Sequence, residues 1–233
     1  MDMTSKSFRL TKITWAALLL SLVIYPVIYC SGIMGDIITP IFKENSRQHW
    51  WLFWNVNLIF HWIPFGLIYL SLKKNGESFQ SLGLDLGFYK KYKWWFLIIL
   101  TLLILSSFII PKIIYEGDLP LISKSIFMGP ITTPERLFVI VGAFTAAYTE
   151  EIIFRGFAIT RLSKFFKTPW IPLTITIISF IFIHGTPRSY EMVANYFFAG
   201  LAFGLPFIFM KMRRLEILIL IHFLIDASLV FAP

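Results

Sequence analysis

The stretch AAYTEEIIFRGFAITR, from Ala146 to Arg161, decides how this sequence is to be interpreted. It lies in an otherwise apolar run that begins at Leu137, yet it carries two adjacent glutamates, Glu150 and Glu151, and the cation Arg155. A charge at the depth of a membrane helix costs several kcal/mol. The presence of three ionisable groups in one such helix therefore predicts that these groups compensate one another or carry a function.

The composition around this stretch is typical of a polytopic membrane protein. Of the 233 residues, 57% are hydrophobic and only 15% are charged, whereas soluble domains are about 25% charged. About 20 apolar residues span a bilayer, and such runs lie near 13–34, 50–72, 94–115, 137–160, 169–186, 191–210 and 215–232. The sequence predicts an all-α bundle of about seven transmembrane helices, in a single membrane domain over residues 1–233.

Three features near these runs are interpreted as structural. The first run is too long for a signal peptide and lacks a small-residue cleavage site, so we predict a transmembrane helix. Cys30 is the only cysteine, so no internal disulfide can form, and we interpret it as a small apolar residue. Gly200 and Gly204 form a GxxxG pattern, which we assign to internal helix packing rather than to dimerisation.

The net charge of +8 follows from topology. With the N-terminus inside, most of the 21 Lys and Arg residues fall on the inner side, as the positive-inside rule requires. We therefore expect a cytoplasmic N-terminus, an outside C-terminus and contact with anionic lipid headgroups, not with nucleic acid. The basic segment 73–93 is expected on the inner membrane surface, and the proline-containing segment 116–136 as a loop or short re-entrant piece. The compact chain indicates a bacterial plasma membrane protein.

Polar residues are few elsewhere in the runs. Intramembrane ionisable groups are expected to face one another or a watery cavity. We interpret His61, with Asn55 and Asn57, as an interhelical hydrogen-bond partner, and His49 as an interfacial residue. The remaining candidates are His184, Asn195, His222 and Asp226.

Helical spacing separates the two glutamates. Glu151 and Arg155 are four apart with the acid first, the favourable order for an ion pair on one face. Glu150 is turned by about 100° from Glu151 and has no cation of its own within a turn. A carboxylate in that setting takes up a proton easily, which suits a proton acceptor near neutral pH.

A converging set can be drawn from three helices. We expect Glu150, His184 and His222 to surround a trapped water, with Asp226, one turn from His222, lending orientation. Helical rise puts Glu150 and His222 about 10 Å, Asp226 about 15 Å and His184 about 20 Å from the inner face. Convergence therefore requires a tilted fifth helix, or one that starts only after Pro172.

Three pieces of the sequence carry a resemblance: EEIIFR at 150–155, FIFIH at 180–184 and HFLID at 222–226. Their order and helix placement resemble the signature motifs of the CAAX prenyl protease and bacteriocin-processing family, the CPBP or Abi intramembrane proteases. The resemblance assigns a catalytic core to residues 130–232, and SLGLDLG at 81–87 is similar to a weaker family feature. It implies an intramembrane endopeptidase.

The resemblance also implies roles for individual residues. Glu150 would activate the water as general base, His184 would share that water, and His222 with Asp226 would stabilise the oxyanion. Glu151 and Arg155 would be the structural pair.

The third motif departs from the family pattern. It ends in asparagine in the prenyl proteases and often in asparagine or aspartate among bacterial members, and this chain has Asp226. An ionised aspartate cannot donate to an oxyanion, so Asp226 must be protonated, orient His222, or bind a cation.

The sequence leaves open whether the site holds a catalytic metal. Two histidines and a carboxylate, here Glu150, His184 and His222, match a catalytic zinc ligand set, and the family is named both as a metalloprotease and as a glutamate type. No HExxH is present, and Glu150 as a ligand would leave no obvious general base. We expect no cofactor, with zinc as the alternative.

The predicted substrate is a membrane-associated peptide or protein. A peptide pheromone precursor, a bacteriocin precursor or a membrane protein fits a bacterial enzyme better than a prenylated CAAX protein. One alternative is a non-catalytic family member that acts as a bacteriocin immunity factor or as a membrane regulatory binding protein. Another is a proton-coupled transporter, which would need paired broken helices in two related halves, and the sequence shows no such repeat. The oligomeric state stays open.

Overall fold

The computed structural model describes residues 10–33, 47–85, 87, 130 and 132–228, and every regular element in these ranges is helical. The α-helices are α1 (Lys12–Leu19), α2 (Tyr25–Ser31), α3 (Arg47–Lys74), α4 (Thr133–Glu150), α5 (Thr160–Phe166), α6 (Trp170–Ile183), α7 (Tyr190–Phe209) and α8 (Leu215–Ala227). Two π-helical segments, Leu20–Ile24 and Glu151–Ile159, and a 3₁₀ turn, Phe79–Leu82, complete the elements.

Four continuous helices among the described residues are long and apolar enough to cross a membrane. They are Lys12–Ser31, Arg47–Lys74, Thr133–Phe166 and Tyr190–Phe209. They correspond to the first, second, fourth and sixth apolar runs, so the prediction of an all-α integral membrane protein is confirmed. The predicted third span, 94–115, lies outside the described residues, as does most of the 116–136 segment and the inner segment beyond Gly87.

The fifth and seventh runs form shorter helices than expected. Helix α6 has 14 residues, because Gly185 at φ 98° follows its last turn and Pro187 cannot continue it. It begins at Trp170 with Pro172 in its first turn. A start only after Pro172, which would have brought His184 closer to the depth of Glu150, is therefore not observed. Helix α8 has 13 residues and begins directly after Arg214, which adopts a left-handed φ of 64°.

Helix α4 starts four residues before the apolar run that predicts it. Thr132 and Glu135 form a capping box, in which the Thr132 backbone N–H donates to Glu135 Oε2 over 2.9 Å. Pro134 occupies the first turn, where its missing N–H costs nothing. Arg47 at the start of α3 forms an ion pair with Glu135. Polar capping residues thus extend the helix beyond its apolar stretch.

The described residues group into two compact units that alternate along the chain. The first unit takes described residues from Met1–Gly32, Ile63–Leu84 and Ile152–Leu215. The second takes them from Ile33–Trp62, Asp85–Glu151 and Glu216–Pro233. The motif residues are therefore divided: Glu150, Glu151, His222 and Asp226 belong to the second unit, and Arg155 and His184 to the first.

In the first unit, α6 packs against α7 and α2. A Cβ at Gly204 would lie 2.3 Å from Leu173 Cδ1, and one at Gly200 2.9 Å from Ile177 Cγ1. These glycines therefore let α7 approach α6 closely, which confirms that the GxxxG pattern serves internal packing. The Cys30 thiol donates to the Phe182 carbonyl oxygen over 3.2 Å, so Cys30 contributes to the contact between α2 and α6.

The segment SLGLDLG also has a structural role in the first unit. Leu82 and Leu84 are buried, and the Gly83 carbonyl accepts from the Leu215 N–H over 3.0 Å, at the start of α8. The buried Arg161 guanidinium binds Glu77 and lies 2.9 Å from Ser81 Oγ. A cation at the end of a membrane helix is thereby neutralised by the segment that follows α3.

In the second unit, α4 packs along α8. Ile140, Ala143 and Ala147 of α4 form a buried cluster with Phe223 and Ala227 of α8. Because His222 and Asp226 adjoin the residues of this cluster in sequence, the packing brings them to the end of α4.

A glycine comparison tests how much the SLGLDLG turn contributes to stability. Gly76 and Gly83 both have left-handed φ values, 66° and 89°, but a Cβ at Gly76 meets nothing within 4 Å, whereas one at Gly83 lies 2.5 Å from the Met212 carbonyl oxygen. We expect Gly76→Ala to lower the free energy of unfolding by about 1–2 kcal/mol. Gly83→Ala should cost about 1–3 kcal/mol more, because overpacking is added to strain. Unfolding in detergent measures both, and equal losses would contradict the packing of Gly83 on Met212.

Candidate active site

The first motif lies where α4 changes into a π-helix. Glu150 is the last residue of α4, and Glu151 is the first residue of the π-helical segment. Their residues are only 6% and 0% exposed, respectively. π-Helical turns are rare in proteins, and those that occur frequently lie at functional sites. The backbone conformation at Glu150 and Glu151 is therefore typical of a functional site.

His222 of α8 contacts both glutamates. Its Nδ1 lies 2.9 Å from Glu151 Oε1, and its Nε2 lies 3.9 Å from Glu150 Oε2. A carboxylate oxygen accepts, so Nδ1 carries a proton and donates to Glu151. This bond fixes the ring and turns its Nε2 edge toward Glu150.

Asp226 completes this group from the next turn of α8. Its Oδ2 lies 3.3 Å from His222 Nε2, and its side chain is 28% exposed. The predicted grouping of Glu150, His222 and Asp226 is thus present within the second unit. Of the roles open to Asp226, orientation of His222 has direct geometric support.

A third helix of the second unit adds a residue that sequence reasoning did not place in the site. His61 of α3 has its Nδ1 3.2 Å from Thr149 Oγ1 and 3.9 Å from Glu150 Oε1. The hydrogen bond to Thr149 agrees with the role of interhelical partner. Its closeness to Glu150 was not predicted, since a histidine in an apolar run is the only sequence signal and spacing does not specify its partner.

His184 is described within the first unit. It is the C-terminal capping residue of α6, and its Nδ1 lies 2.7 Å from the Phe180 carbonyl oxygen. A carbonyl cannot donate, so Nδ1 carries the proton and Nε2 is the acceptor of the neutral ring. The imidazole stacks on Tyr196 of α7, with ring centroids 3.8 Å apart. Tyr196 is a second residue that the sequence did not single out.

Arg155 is held by aromatic rings in the first unit. Its guanidinium carbon lies 4.8 Å from the Phe180 ring centroid and 5.4 Å from that of Phe203, and the residue is 2% exposed. Cation–π contacts of desolvated guanidinium groups contribute about 2 kcal/mol or more. These contacts explain the aromatic residue of the second motif. The pairing of Arg155 with Glu151 stays a prediction, as does convergence of His184 with Glu150.

A metal-ligand set is not apparent in the described part of the chain. Within these residues, no group of three or more His, Cys, Asp or Glu side chains is arranged to hold a metal ion. We therefore derive no reaction step through zinc, and the expectation of a metal-free site stays a prediction.

Comparisons with known proteins concern the same region of the chain. Residues 132–228 match the family model described as type II CAAX prenyl endopeptidase Rce1-like. The matched region runs from the capping box of α4 to the end of α8 and contains all three motifs. Neither the curated proteins nor the solved structures provide a match. The predicted resemblance is thereby confirmed for residues 132–228, which are similar to the Rce1-like CAAX prenyl endopeptidases.

Proposed function

We propose that this protein is an intramembrane endopeptidase that hydrolyses a peptide bond by general-base attack of water. The observation that carries the proposal is the contact of His222 with Glu150, Glu151 and Asp226 within apolar helices. Intramembrane ionisable groups are costly, and this cluster has the residue types that peptide hydrolysis needs. The family match of residues 132–228 supports the same class of reaction.

Glu150 is the general base in this proposal. Its carboxylate takes a proton from water as the water oxygen attacks the scissile carbonyl carbon, which gives a tetrahedral oxyanion. Glu150 then passes the proton to the leaving amine nitrogen as the carbon–nitrogen bond breaks. Its burial supports this role, since a low-dielectric environment strengthens interactions with developing charge.

His222 stabilises the oxyanion in this proposal. Glu151 accepts from Nδ1 over 2.9 Å, which leaves the Nε2 edge directed at Glu150 and Asp226. For Nε2 to donate as well, the ring must be an imidazolium, and the carboxylates of Glu150 and Asp226 beside Nε2 favour that second proton. A donor held in place before the reaction costs no reorganisation when charge develops. Asp226 positions His222 through the 3.3 Å contact. His184 is assigned a share in binding the attacking water because of its position in the second motif.

The origin of the protein, its orientation in the membrane and its substrate class are proposed from the sequence and the family match. We propose a bacterial plasma membrane enzyme, with the N-terminus in the cytoplasm and the C-terminus outside. Its substrate would be a membrane-associated peptide or protein, such as a pheromone or bacteriocin precursor.

Glu150→Gln tests the proposal, because it keeps the size of the side chain and removes the base. In cells that lack their own copy, we expect at least one peptide terminus that appears with wild type and not with Glu150→Gln. Mass spectrometry of membrane-fraction and secreted peptides detects it. A quenched fluorescent peptide built on that terminus should then show a kcat lower by about 10²–10⁴-fold, the usual contribution of a general base.

Glu191→Gln is the matched control, because Glu191 is an exposed acid in the first turn of α7. It should process peptides as wild type does, at equal protein level. If wild type and Glu150→Gln yield the same peptides and both restore a deletion phenotype, the peptidase proposal fails. A binding or immunity role then replaces it.

Asp226 offers a second test, which separates orientation from charge. Asp226→Asn keeps an oxygen that can accept from His222, so we expect its kcat within about 10-fold of wild type. Asp226→Leu removes the acceptor and should lower kcat by about 10²-fold, as loss of an oxyanion-site group does. An active Asp226→Leu variant would contradict the role of Asp226.

Metal removal tests the proposed metal-free chemistry. Dialysis of the purified full-length protein against 1,10-phenanthroline should leave kcat unchanged, because no step passes through zinc. Metal analysis of the purified protein before dialysis should find less than one zinc per chain. Loss of activity that Zn²⁺ restores would overturn this part of the proposal.

A further inference from the structure

The carboxylate of Glu150 has a different histidine at each of its two oxygens. Oε2 lies 3.9 Å from His222 Nε2, and Oε1 lies 3.9 Å from His61 Nδ1. His61 stands on α3, outside the matched residues 132–228 and outside all three motifs. The side chains of Glu150 and His61 are 7% and 15% exposed, so their interaction is little weakened by solvent.

The hydrogen bonds of Thr149 establish which nitrogen of His61 carries a proton. Thr149 Oγ1 donates to the Thr145 carbonyl oxygen over 2.7 Å, and a hydroxyl has a single hydrogen to donate. The contact of 3.2 Å between Thr149 Oγ1 and His61 Nδ1 must therefore have the histidine as donor. Nδ1 of His61 thus bears a proton, and this N–H lies beside Glu150 Oε1.

This arrangement gives His61 a means of orienting the base. The 3.9 Å separation exceeds a hydrogen bond, and such contacts in substrate-free enzymes often tighten in the reacting complex. A donor beside Oε1 holds that oxygen toward α3 and leaves Oε2 toward His222.

We propose that His61 is a positioning residue of the peptidase reaction: its Nδ1–H, which donates to Thr149 Oγ1, also attracts Glu150 Oε1 at 3.9 Å and so orients the carboxylate. The inference rests on the proposed function, and it extends the reacting group to a helix that precedes the family region. The competing explanation is that His61 only ties α3 to α4 through Thr149.

Substitutions of His61 distinguish the two explanations. His61→Asn keeps a donor near the Nδ1 position, His61→Gln moves the amide one bond further out, and His61→Leu removes it. We expect kcat to fall about 10- to 100-fold in His61→Leu, the scale of a misplaced catalytic group, with KM within about twofold. His61→Asn should recover most of kcat and His61→Gln should not.

Asn55→Leu is the matched control on the same helix. Asn55 is exposed and its side chain donates to the Trp51 carbonyl oxygen over 2.8 Å, so its replacement should leave kcat and KM unchanged. If His61→Leu lowers only the melting temperature in detergent, or if Asn and Gln restore kcat equally, the positioning role is overturned.

An infrared measurement decides the inference without any substrate. The difference between spectra of wild type and Glu150→Gln gives the carboxyl bands of Glu150. His61→Leu should shift these bands and Asn55→Leu should not, whereas unchanged bands in His61→Leu overturn the inference. Absence of cleavage by wild type would instead refute the proposed function, and the infrared result would still report on His61.

Discussion

The hydrogen bond between Glu151 and His222 is the interaction on which the rest of the candidate site depends. Glu151 is completely buried, and a buried carboxylate without a compensating partner would cost several kcal/mol. His222 supplies that partner at 2.9 Å, beside the apolar contacts of α4 with α8. The same bond therefore contributes to packing and fixes the ring that faces Glu150.

The two glutamates of the motif act on one imidazole from different edges. Spacing along a helix predicts that adjacent side chains diverge by about 100°, and that argument assigned them different surroundings. The structure shows that divergence is compatible with a shared partner, because Glu151 lies at Nδ1 and Glu150 at Nε2 of His222. Adjacent acids in a membrane helix thus have distinct roles toward a single histidine.

Local patterns predicted most of the fold and the motif part of the site. Apolar runs located the helices, and the four-residue spacing of His222 and Asp226 predicted their shared face. The wide turn that begins at Glu151 was not predictable, since no local pattern distinguishes a π-helix from an α-helix in an apolar run. His61 and Tyr196 were missed because their partners lie on other helices, and sequence spacing describes only neighbours on the same helix.

The second motif shows how one spacing serves helix termination and the orientation of an imidazole together. The last carbonyls of a helix lack backbone partners, and at the end of α6 the His184 N–H bonds to Ile181 rather than to Phe180. The Phe180 carbonyl instead accepts from the His184 ring at 2.7 Å, while the Phe180 ring faces the Arg155 guanidinium. A phenylalanine four residues before the histidine therefore lowers the free-energy cost of burying the Arg155 cation and orients the imidazole. Because that carbonyl holds the proton on Nδ1, Nε2 is the nitrogen through which neutral His184 would accept a hydrogen from water.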